Sequence, residues 1–335
     1  MKILKQVAQF AVVALSIILS FVFSNFKLKE ESMEPIKEAV IEIIEFTDPA
    51  CTWCWGSEPI LRKLQYRYKE QIKISFVMGG LVEDAHTFMD NTNRIGGDLN
   101  TFNQQVGEHW LEASQRHGMP VLAEGFKLFD DKNPSTYPMN IAYKAAQFQD
   151  EEKANKFLRR IREATAAEAK QTNTMEVLIE LAQDSGLDIA AFITDMESGK
   201  ANKAFEEDRY LTRSYQANGF PSFLIRNKDG KEIMLRGYQS FENFKSTINH
   251  LSSDKLTEHK EPVSEKNIID FVKTFEKVAK VEIKETLDLQ EMELDEWIKA
   301  LLEKNMIKEI TVGNSFYYQL TKAGEMCDDT GVCNY

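Results

Sequence analysis

The fold is decided by the stretch Asp48-Pro49-Ala50-Cys51-Thr52-Trp53-Cys54-Trp55, in which two cysteines are separated by two residues. The residues before it, Ala39 to Phe46, read AVIEIIEF and have the β-branched, apolar composition of a strand. A helical apolar pattern follows from Glu58 to Tyr68, and a second strand is predicted over Ile72 to Met78. This order forms a βαβ unit, so we expect parallel strands with the cysteines at the start of the intervening helix.

The rest of the chain divides into a helical part, a return to strands and a second small unit. Residues 81 to about 206 carry apolar residues at helical spacing, which predicts a large helical insertion. Two further strands are predicted on either side of the turn Asn227-Lys228-Asp229-Gly230, followed by a helix from Ser240. The sequence therefore predicts an α/β domain over residues 33–252.

A polar stretch without periodicity, residues 253–263, is predicted to be a linker to a second domain over residues 264–335. In that domain we predict a helix from Ser264 to Ala279 and a strand from Val281 to Leu287. A second helix and a hairpin turning at Gly313-Asn314 follow. Helix, strand, helix and hairpin is the order of a winged-helix-like module.

The charge of the chain argues against nucleic acid as a partner. The 335 residues contain 41 Lys and Arg against 53 Asp and Glu, a formal net charge of −12. Residues 264–335 contain nine Lys and no Arg, against fifteen Asp and Glu. Because acidic surfaces repel phosphate, the winged-helix-like module is expected to bind a protein partner or to form a homodimer.

The first 32 residues allow two interpretations. Lys2 and Lys5 precede a short apolar run, which is typical of a signal or anchor segment. Alternatively, Met33 is the true start and residues 1–32 are a mis-assigned leader. The protein is expected to be cytoplasmic if translation starts at Met33, and otherwise exported or membrane-anchored through residues 10–26.

A cysteine pair at a helix N-terminus can carry out thiol–disulfide exchange. The helix dipole and N–H groups stabilise a thiolate there, which makes Cys51 the predicted nucleophile and Cys54 the resolving thiol. Pro221, preceded by Phe220, is expected to be a cis proline that faces the cysteines and helps to bind substrate like an added strand. Glu45, on the strand beneath the helix, is the candidate acid for proton transfer with Cys54.

The order and motifs of residues 39–251 resemble the thioredoxin-like DsbA family. The CxxC stretch is similar to the FrnE-like branch and, with Glu58-Pro59 after it, to the Clp-protease adaptor branch of Firmicutes. The resemblance implies an active site of Cys51, Cys54 and Pro221 and a buried acid at Glu45. It implies no cofactor, and protein or small-thiol substrates bound through mixed disulfides.

Trp53 stands where the strongly oxidising relatives have a histidine. Without an imidazolium at that position, we predict a pair more reducing than the roughly −120 mV of the strongest oxidants.

Several alternatives remain open from the sequence. Cys51 and Cys54 can also form half of a zinc site if Cys327 and Cys333 supply the other ligands, although no metal is predicted. Those tail cysteines can instead form a second redox pair. Trp53 and Trp55, with Phe220, are candidate substrate-binding side chains or simply core residues. The five histidines show no metal spacing and are interpreted as ordinary.

Three functions fit these residues. The first is a dithiol–disulfide oxidoreductase or isomerase, favoured because both Cys54 and Pro221 are present. The second is a Clp-protease adaptor on the same fold, which needs neither residue. The third is glutathione-dependent isomerisation of a small hydrophobic substrate, as in the related kappa-class transferases.

Overall fold

The structure is a computed structural model that describes residues 40–325 of the chain. The predicted signal or leader segment, residues 1–32, and the tail with Cys327 and Cys333 lie outside the described residues. Within residues 40–325, no helix is both long and apolar enough to cross a lipid bilayer.

A four-stranded mixed sheet carries the cysteine motif. Its strands are β1 (Ile41–Thr47), β2 (Ile72–Met78), β3 (Ser222–Asn227) and β4 (Glu232–Arg236), in the spatial order β2-β1-β3-β4. β1 pairs in parallel with β2, which confirms the predicted βαβ unit. β3 runs antiparallel to both β1 and β4.

Helix α1 (Thr52–Tyr68) connects β1 to β2 and begins directly after Cys51. Its apolar side is buried against the sheet because the predicted three- and four-residue spacing puts those side chains on one face. The buried residues of that face are Ile60, Leu61, Leu64 and Tyr68. This packing fixes the position of the cysteines at the edge of the sheet where β1 ends.

The predicted helical insertion lies between β2 and β3. Its helices are α2 (Leu99–His117), α3 (Tyr137–Gln147), α4 (Glu151–Ala166), α5 (Met175–Asp184), α6 (Ile189–Glu197) and α7 (Lys200–Ser214). Aspartates cap three of them by accepting hydrogen bonds from first-turn N–H groups: Asp98, Asp150 and Asp188. The insertion extends beyond its predicted end near residue 206, because α7 continues to Ser214. Helix α8 (Phe241–Ser252) follows β4 and is capped by Ser240.

The C-terminal segment, residues 264–325, has an apolar core of its own. Its elements are α9 (Glu265–Phe275), β5 (Lys277–Ala279), α10 (Lys280–Leu287), α11 (Glu291–Glu303), β6 (Ile307–Val312), β7 (Ser315–Leu320) and α12 (Lys322–Glu325). The three strands form a small sheet in the order β5-β7-β6.

The predicted strand at Val281–Leu287 is wrong, because these residues belong to helix α10 and the strand is the short β5 before it. Val281 to Leu287 alternates apolar and polar residues at first, which favours a strand. The structure shows that Glu282 accepts a hydrogen bond from the Ala279 backbone N–H at 2.6 Å, which caps the helix. Ile283 and Leu287, four residues apart, are then buried on one helical face.

Helix α10 lies along α1 through oppositely charged groups. On α1, Arg62, Lys63 and Arg67 are buried although their type is usually exposed. Arg62 Nη1 lies 2.9 Å from Glu282 Oε2, and Lys63 Nζ lies 2.6 Å from Asp288 Oδ1. Arg67 Nη2 lies 3.0 Å from Asp288 Oδ2. These pairs explain how three cations can be buried on the helix that carries the cysteines.

The turn between β6 and β7 makes a second contact with the rest of the chain. Asn314 Oδ1 accepts from the Val121 N–H at 2.9 Å, and Asn314 N–H donates to the Val121 carbonyl at 3.1 Å. Asn314 Nδ2 donates to Ser114 Oγ of α2 at 2.9 Å. Gly313 has φ +51°, and a Cβ there would lie 2.5 Å from the Val121 carbonyl oxygen. Only glycine fits this close approach of two backbones.

Candidate active site

The loop before the cysteines is held by a buried carboxylate. Asp48 Oδ1 accepts from the Ala50 N–H at 2.8 Å, and its Oδ2 accepts from the Leu81 N–H at 2.7 Å. Thr136 Oγ1 and Asn140 Nδ2 donate to the same Oδ2 at 2.9 and 2.8 Å. Four donors from β1's loop, β2's loop and α3 therefore fix where the chain enters α1.

Cys51 occupies the N-cap of α1, and its sulfur accepts a hydrogen bond from the Cys54 backbone N–H at 3.1 Å. A sulfur at this position lies at the positive end of the helix dipole. Cys51 keeps 5% of its surface exposed, whereas Cys54 is fully buried. Both are free thiols. The first cysteine is thus the one that a partner can reach.

Burial raises the pKa of the Cys54 thiol well above its usual value. Its interactions with Cys51 and the Glu45 carboxylate add to the rise, and the Arg162 guanidinium opposes it. Cys54 is therefore protonated at neutral pH and needs a proton acceptor before it can act as a nucleophile.

Glu45 lies fully buried on β1, and its two carboxylate oxygens have different surroundings. Oε1 accepts from Thr47 Oγ1 at 2.9 Å and from Arg162 Nη2 at 3.2 Å. Oε2 is buried without a hydrogen-bond partner among the described residues. Burial raises the pKa of Glu45, an effect that Arg162 reduces and Glu58 increases. A buried carboxyl with a raised pKa and one oxygen left without a hydrogen bond is suited to accepting a proton.

Pro221 directly precedes β3, and the sheet register places it beside the end of β1. Ser222 pairs with Phe46, so Pro221 is one residue closer to the point where the cysteine loop begins. The Phe220–Pro221 peptide bond is cis. The Phe220 ring covers Gly79, where a Cβ would lie 2.0 Å from it, and packs among apolar residues of the sheet.

Trp53, between the two cysteines, connects three parts of the chain. Its ring contacts His109 and His117 of α2 at centroid distances of 6.4 and 6.0 Å, and Tyr238 after β4 at 5.8 Å. The residue before Tyr238, Gly237, donates its N–H to the Pro221 carbonyl at 2.8 Å. Trp53 therefore links the cysteine helix to the Pro221 loop and remains partly exposed.

Trp55 is a core residue, which is one of the two alternatives that the sequence leaves open for this side chain. It is 1% exposed, and its indole N–H donates to the Pro120 carbonyl at 2.9 Å. The Arg159 guanidinium lies 4.4 Å from its ring centroid on the other side. A side chain enclosed in this way cannot contact a substrate directly.

Sequence reasoning missed two buried groups beside the cysteines. Arg162 of α4 is fully buried and bonds to Glu45, Thr47 and Glu58. Its position as one of three arginines within four residues of a helix gave no signal of burial. His117, interpreted as ordinary, is buried with its Nδ1 accepting from the Met119 N–H at 3.1 Å. Burial lowers the pKa of His117 to about 4, so it is neutral at physiological pH.

No group of three or more His, Cys, Asp and Glu side chains within residues 40–325 has the geometry of a metal site. Cys327 and Cys333, the second pair of cysteines, lie outside the described residues. Their prediction as a second redox pair, and the alternative of a shared zinc site, stay predictions.

A family model described as thioredoxin matches residues 45–246, more than half of the chain. The chain belongs to this thioredoxin family. A candidate protein disulfide isomerase from Nitrosomonas europaea has a similar fold, with a TM-score of 0.54 and 18% sequence identity. The similarity covers 64% of this chain and 98% of that one.

Beyond the family, the chain is similar in sequence to the ClpXP adapter protein SpxH. It is 28% identical over 286 residues to SpxH of Halalkalibacterium halodurans, covering 84% of this chain and 90% of the relative. It is 25% identical over 283 residues to SpxH of Bacillus subtilis, covering 83% and 89%.

Proposed function

We propose that this chain is a protein-binding adaptor of the kind that its SpxH relatives represent, acting with a Clp-type protease. The observation that carries the proposal is the extent of the similarity to the adapters. An alignment over 84% of the chain cannot fit within residues 1–263, so it reaches into the C-terminal segment. The Nitrosomonas europaea structure, in contrast, is almost completely covered by 64% of this chain.

The surface of the C-terminal segment supports a protein partner. We propose that this segment is a winged-helix module, because the order of its helices and the pairing of its three strands fit one. The turn of its β-hairpin is engaged by Val121 and Ser114, and α11 exposes Glu293, Glu296 and Glu303. An occupied hairpin turn and an acidic helix favour a protein over DNA.

Genetic epistasis in the native host tests the adaptor proposal. Deleting the gene is expected to cause a small set of proteins to accumulate, as measured by quantitative proteomics. Wild-type protein and a Cys51→Ser/Cys54→Ser variant should both restore their degradation, because the adaptor role needs neither thiol. Further accumulation on deleting the gene in cells that already lack ClpX would contradict the proposal.

A second function, dithiol–disulfide exchange, is favoured by the Cys51 sulfur accepting the Cys54 N–H at the start of α1. In the proposed reaction, the Cys51 thiolate attacks one sulfur of a substrate disulfide, and the other sulfur leaves as a thiolate. Cys54 then gives its proton to Glu45 Oε2 and attacks Cys51 Sγ. The Cys51–Cys54 disulfide forms as the mixed disulfide breaks, and the substrate leaves as a dithiol.

Trapping tests this second function directly. A Cys54→Ala variant should accumulate mixed disulfides through Cys51 with an oxidised peptide probe, detected as a mass increase that dithiothreitol reverses. The matched Cys51→Ala variant, in which only the fully buried Cys54 remains, should form none. Equal labelling of both variants, or of neither, would reject exchange through Cys51.

A further inference from the structure

The charged side chains beneath the cysteine helix form one continuous buried network, which we call the buried charge cluster. It contains four carboxylates and four cations: Glu45, Glu58, Glu163 and Glu282 with Arg62, Arg159, Arg162 and Lys277. The members come from β1, α1, α4 and the C-terminal segment. Equal numbers of opposite charges allow the cluster to be buried.

Glu282, from the C-terminal segment, holds the guanidinium of Arg159 with both carboxylate oxygens. Its Oε1 accepts from Arg159 Nη1 at 2.8 Å and its Oε2 from Arg159 Nη2 at 3.1 Å. Glu282 Oε2 also accepts from Arg62 Nη1 at 2.9 Å. The carboxylate is itself fixed by the Ala279 N–H at the start of α10. Such a bidentate pair has little freedom to reorient.

Arg159 is shared between Glu282 and carboxylates closer to the cysteines. Its Nη1 also donates to Glu58 Oε2 at 3.2 Å. The other oxygen of Glu58 accepts from Arg162, which in turn donates to Glu45 Oε1. Although burial alone would raise the pKa of Glu58, Arg162 and Arg159 hold it below its usual value. The Arg162 guanidinium therefore forms hydrogen bonds to both Glu58 and Glu45.

The charged and titratable groups that act on Cys54 come from three elements. They are Cys51 on its own helix, Glu45 on β1 and Arg162 on α4. The Arg162 guanidinium therefore interacts electrostatically with the Cys54 sulfur as well as with Glu45. A change at Glu282 reaches that sulfur through Arg159, Glu58 and Arg162, and also as a direct change in buried charge.

We propose that Glu282 is a positioning residue for the redox pair, through which the C-terminal segment sets how readily Cys54 becomes a thiolate. This inference rests on the thiol-exchange function proposed above. Without the Glu282 charge, Arg159 keeps Glu58 and Glu163 as its partners and interacts more strongly with Glu58, so that Arg162 interacts more strongly with Glu45 and Cys54. The Cys54 thiolate is then stabilised, and the resolving step becomes faster.

The step to measure is release of glutathione from a mixed disulfide on Cys51. The Cys54 thiolate attacks Cys51 Sγ, the Cys51–Cys54 bond forms, and the bond to glutathione breaks, so that glutathione leaves as a thiolate. The proton of Cys54 goes to Glu45 or to water. Because the rate follows the thiolate fraction, a change of one pKa unit alters it up to about tenfold at neutral pH.

Two single variants that break the same ion pair are expected to act in opposite directions. Glu282→Gln removes an anion and should speed glutathione release several-fold at pH 7. Its rate–pH profile should shift to lower pH. Arg62→Met removes the cation paired with it, strengthens the hold of Glu282 on Arg159, and should slow release with the profile shifted to higher pH. If the substitutions only loosened the interface between α1 and the C-terminal segment, the release rates of both variants would change in the same direction.

Asp288→Asn is the matched control. Asp288 pairs with Lys63, Arg67 and Lys260 in the same interface but is not part of the buried charge cluster. The release rate of Asp288→Asn should stay within about twofold of wild type. The conservative variant Glu282→Asp keeps the carboxylate and should therefore keep the wild-type rate–pH profile. Shifts in one direction for Glu282→Gln and Arg62→Met, or no shift in either, would overturn the inference. Failure of wild-type Cys51 to form any mixed disulfide would instead reject the exchange function on which it rests.

Discussion

Arg162 and Glu45 form an ion pair in which both side chains are fully buried, with Arg162 Nη2 3.2 Å from Glu45 Oε1. The guanidinium belongs to α4 of the helical insertion, and the carboxylate belongs to the central strand β1. The pair therefore ties the insertion to the sheet directly beneath the cysteines. Because the same guanidinium also bonds to Glu58 of α1, one side chain joins three elements.

Replacing Arg162 by methionine should strongly destabilise the protein. Glu45 and Glu58 would stay buried without their common cation, which typically costs about 3–5 kcal/mol. The matched control is Arg160→Met on the same helix, whose partly exposed side chain pairs with Glu168 and Asp184. We expect a loss of about 1 kcal/mol or less there. Urea denaturation measures both, and equal losses would contradict the importance given to the buried pair.

His117 should make stability fall as the pH drops from neutral towards 4. Its pKa is lowered to about 4 in the folded chain from an unfolded value near 6.5, so the unfolded state binds the proton more readily. The stabilisation is present above pH 6.5 and is lost between 6.5 and 4, by about 3 kcal/mol. His117→Asn keeps an acceptor for Met119 but does not titrate there. Unfolding free energies at pH 7 and pH 4 should therefore change less in the variant, and parallel changes would disprove the assignment.

Gly313→Ala should separate the β6–β7 turn from the loop at Val121. The substitution adds the cost of a positive φ, about 1–2 kcal/mol, to an overpacking cost of about 1–3 kcal/mol against the Val121 carbonyl. Gly230→Ala in the β3–β4 turn is the control, since it has φ +79° but no atom within 4 Å of the new Cβ. Chemical denaturation should show the larger loss for Gly313→Ala. A loss no greater than that of Gly230→Ala would show that the turn is not docked in solution.

Substitutions of Trp53 and Trp55, the two tryptophans of the CxxC stretch, should have different effects. Trp55→Phe leaves the Pro120 carbonyl without its indole donor and should cost about 1–3 kcal/mol of unfolding free energy. Trp53→Ala removes a partly exposed ring and should mainly slow mixed-disulfide formation between Cys51 and an oxidised peptide. Stopped-flow kinetics and denaturation distinguish these results. A slower reaction in Trp55→Phe with unchanged kinetics in Trp53→Ala would reverse the assignment.

The sequence predicted those parts of the fold that local pattern controls. Ile72 to Met78 is a strand as expected, and Cys51 lies at a helix N-terminus, because periodicity and the position of the cysteines are local signals. The strand prediction at Val281–Leu287 failed because a cap made by Glu282 and burial against α1 outweighed the alternating pattern. Local propensity cannot anticipate such a tertiary contact.

The site could be predicted only in its outline. The cysteines and Glu45 follow from spacing along β1 and α1, but Arg162 and His117 reach them from helices more than sixty residues further along the chain. A single sequence gives no signal for which charged residue of α4 is buried. Trp55 was ambiguous for the same reason, since its partner Pro120 is distant in sequence.

The basic face of the cysteine helix has a consequence for how this chain can be engineered. Arg62, Lys63 and Arg67 are paired with carboxylates of the C-terminal segment: Glu282 of α10, and Asp288, which directly follows it. A fragment that ends at residue 252 would expose these three cations to water, and they would bind polyanions non-specifically. Such a fragment would therefore need substitutions at these three positions before it could serve as a separate domain.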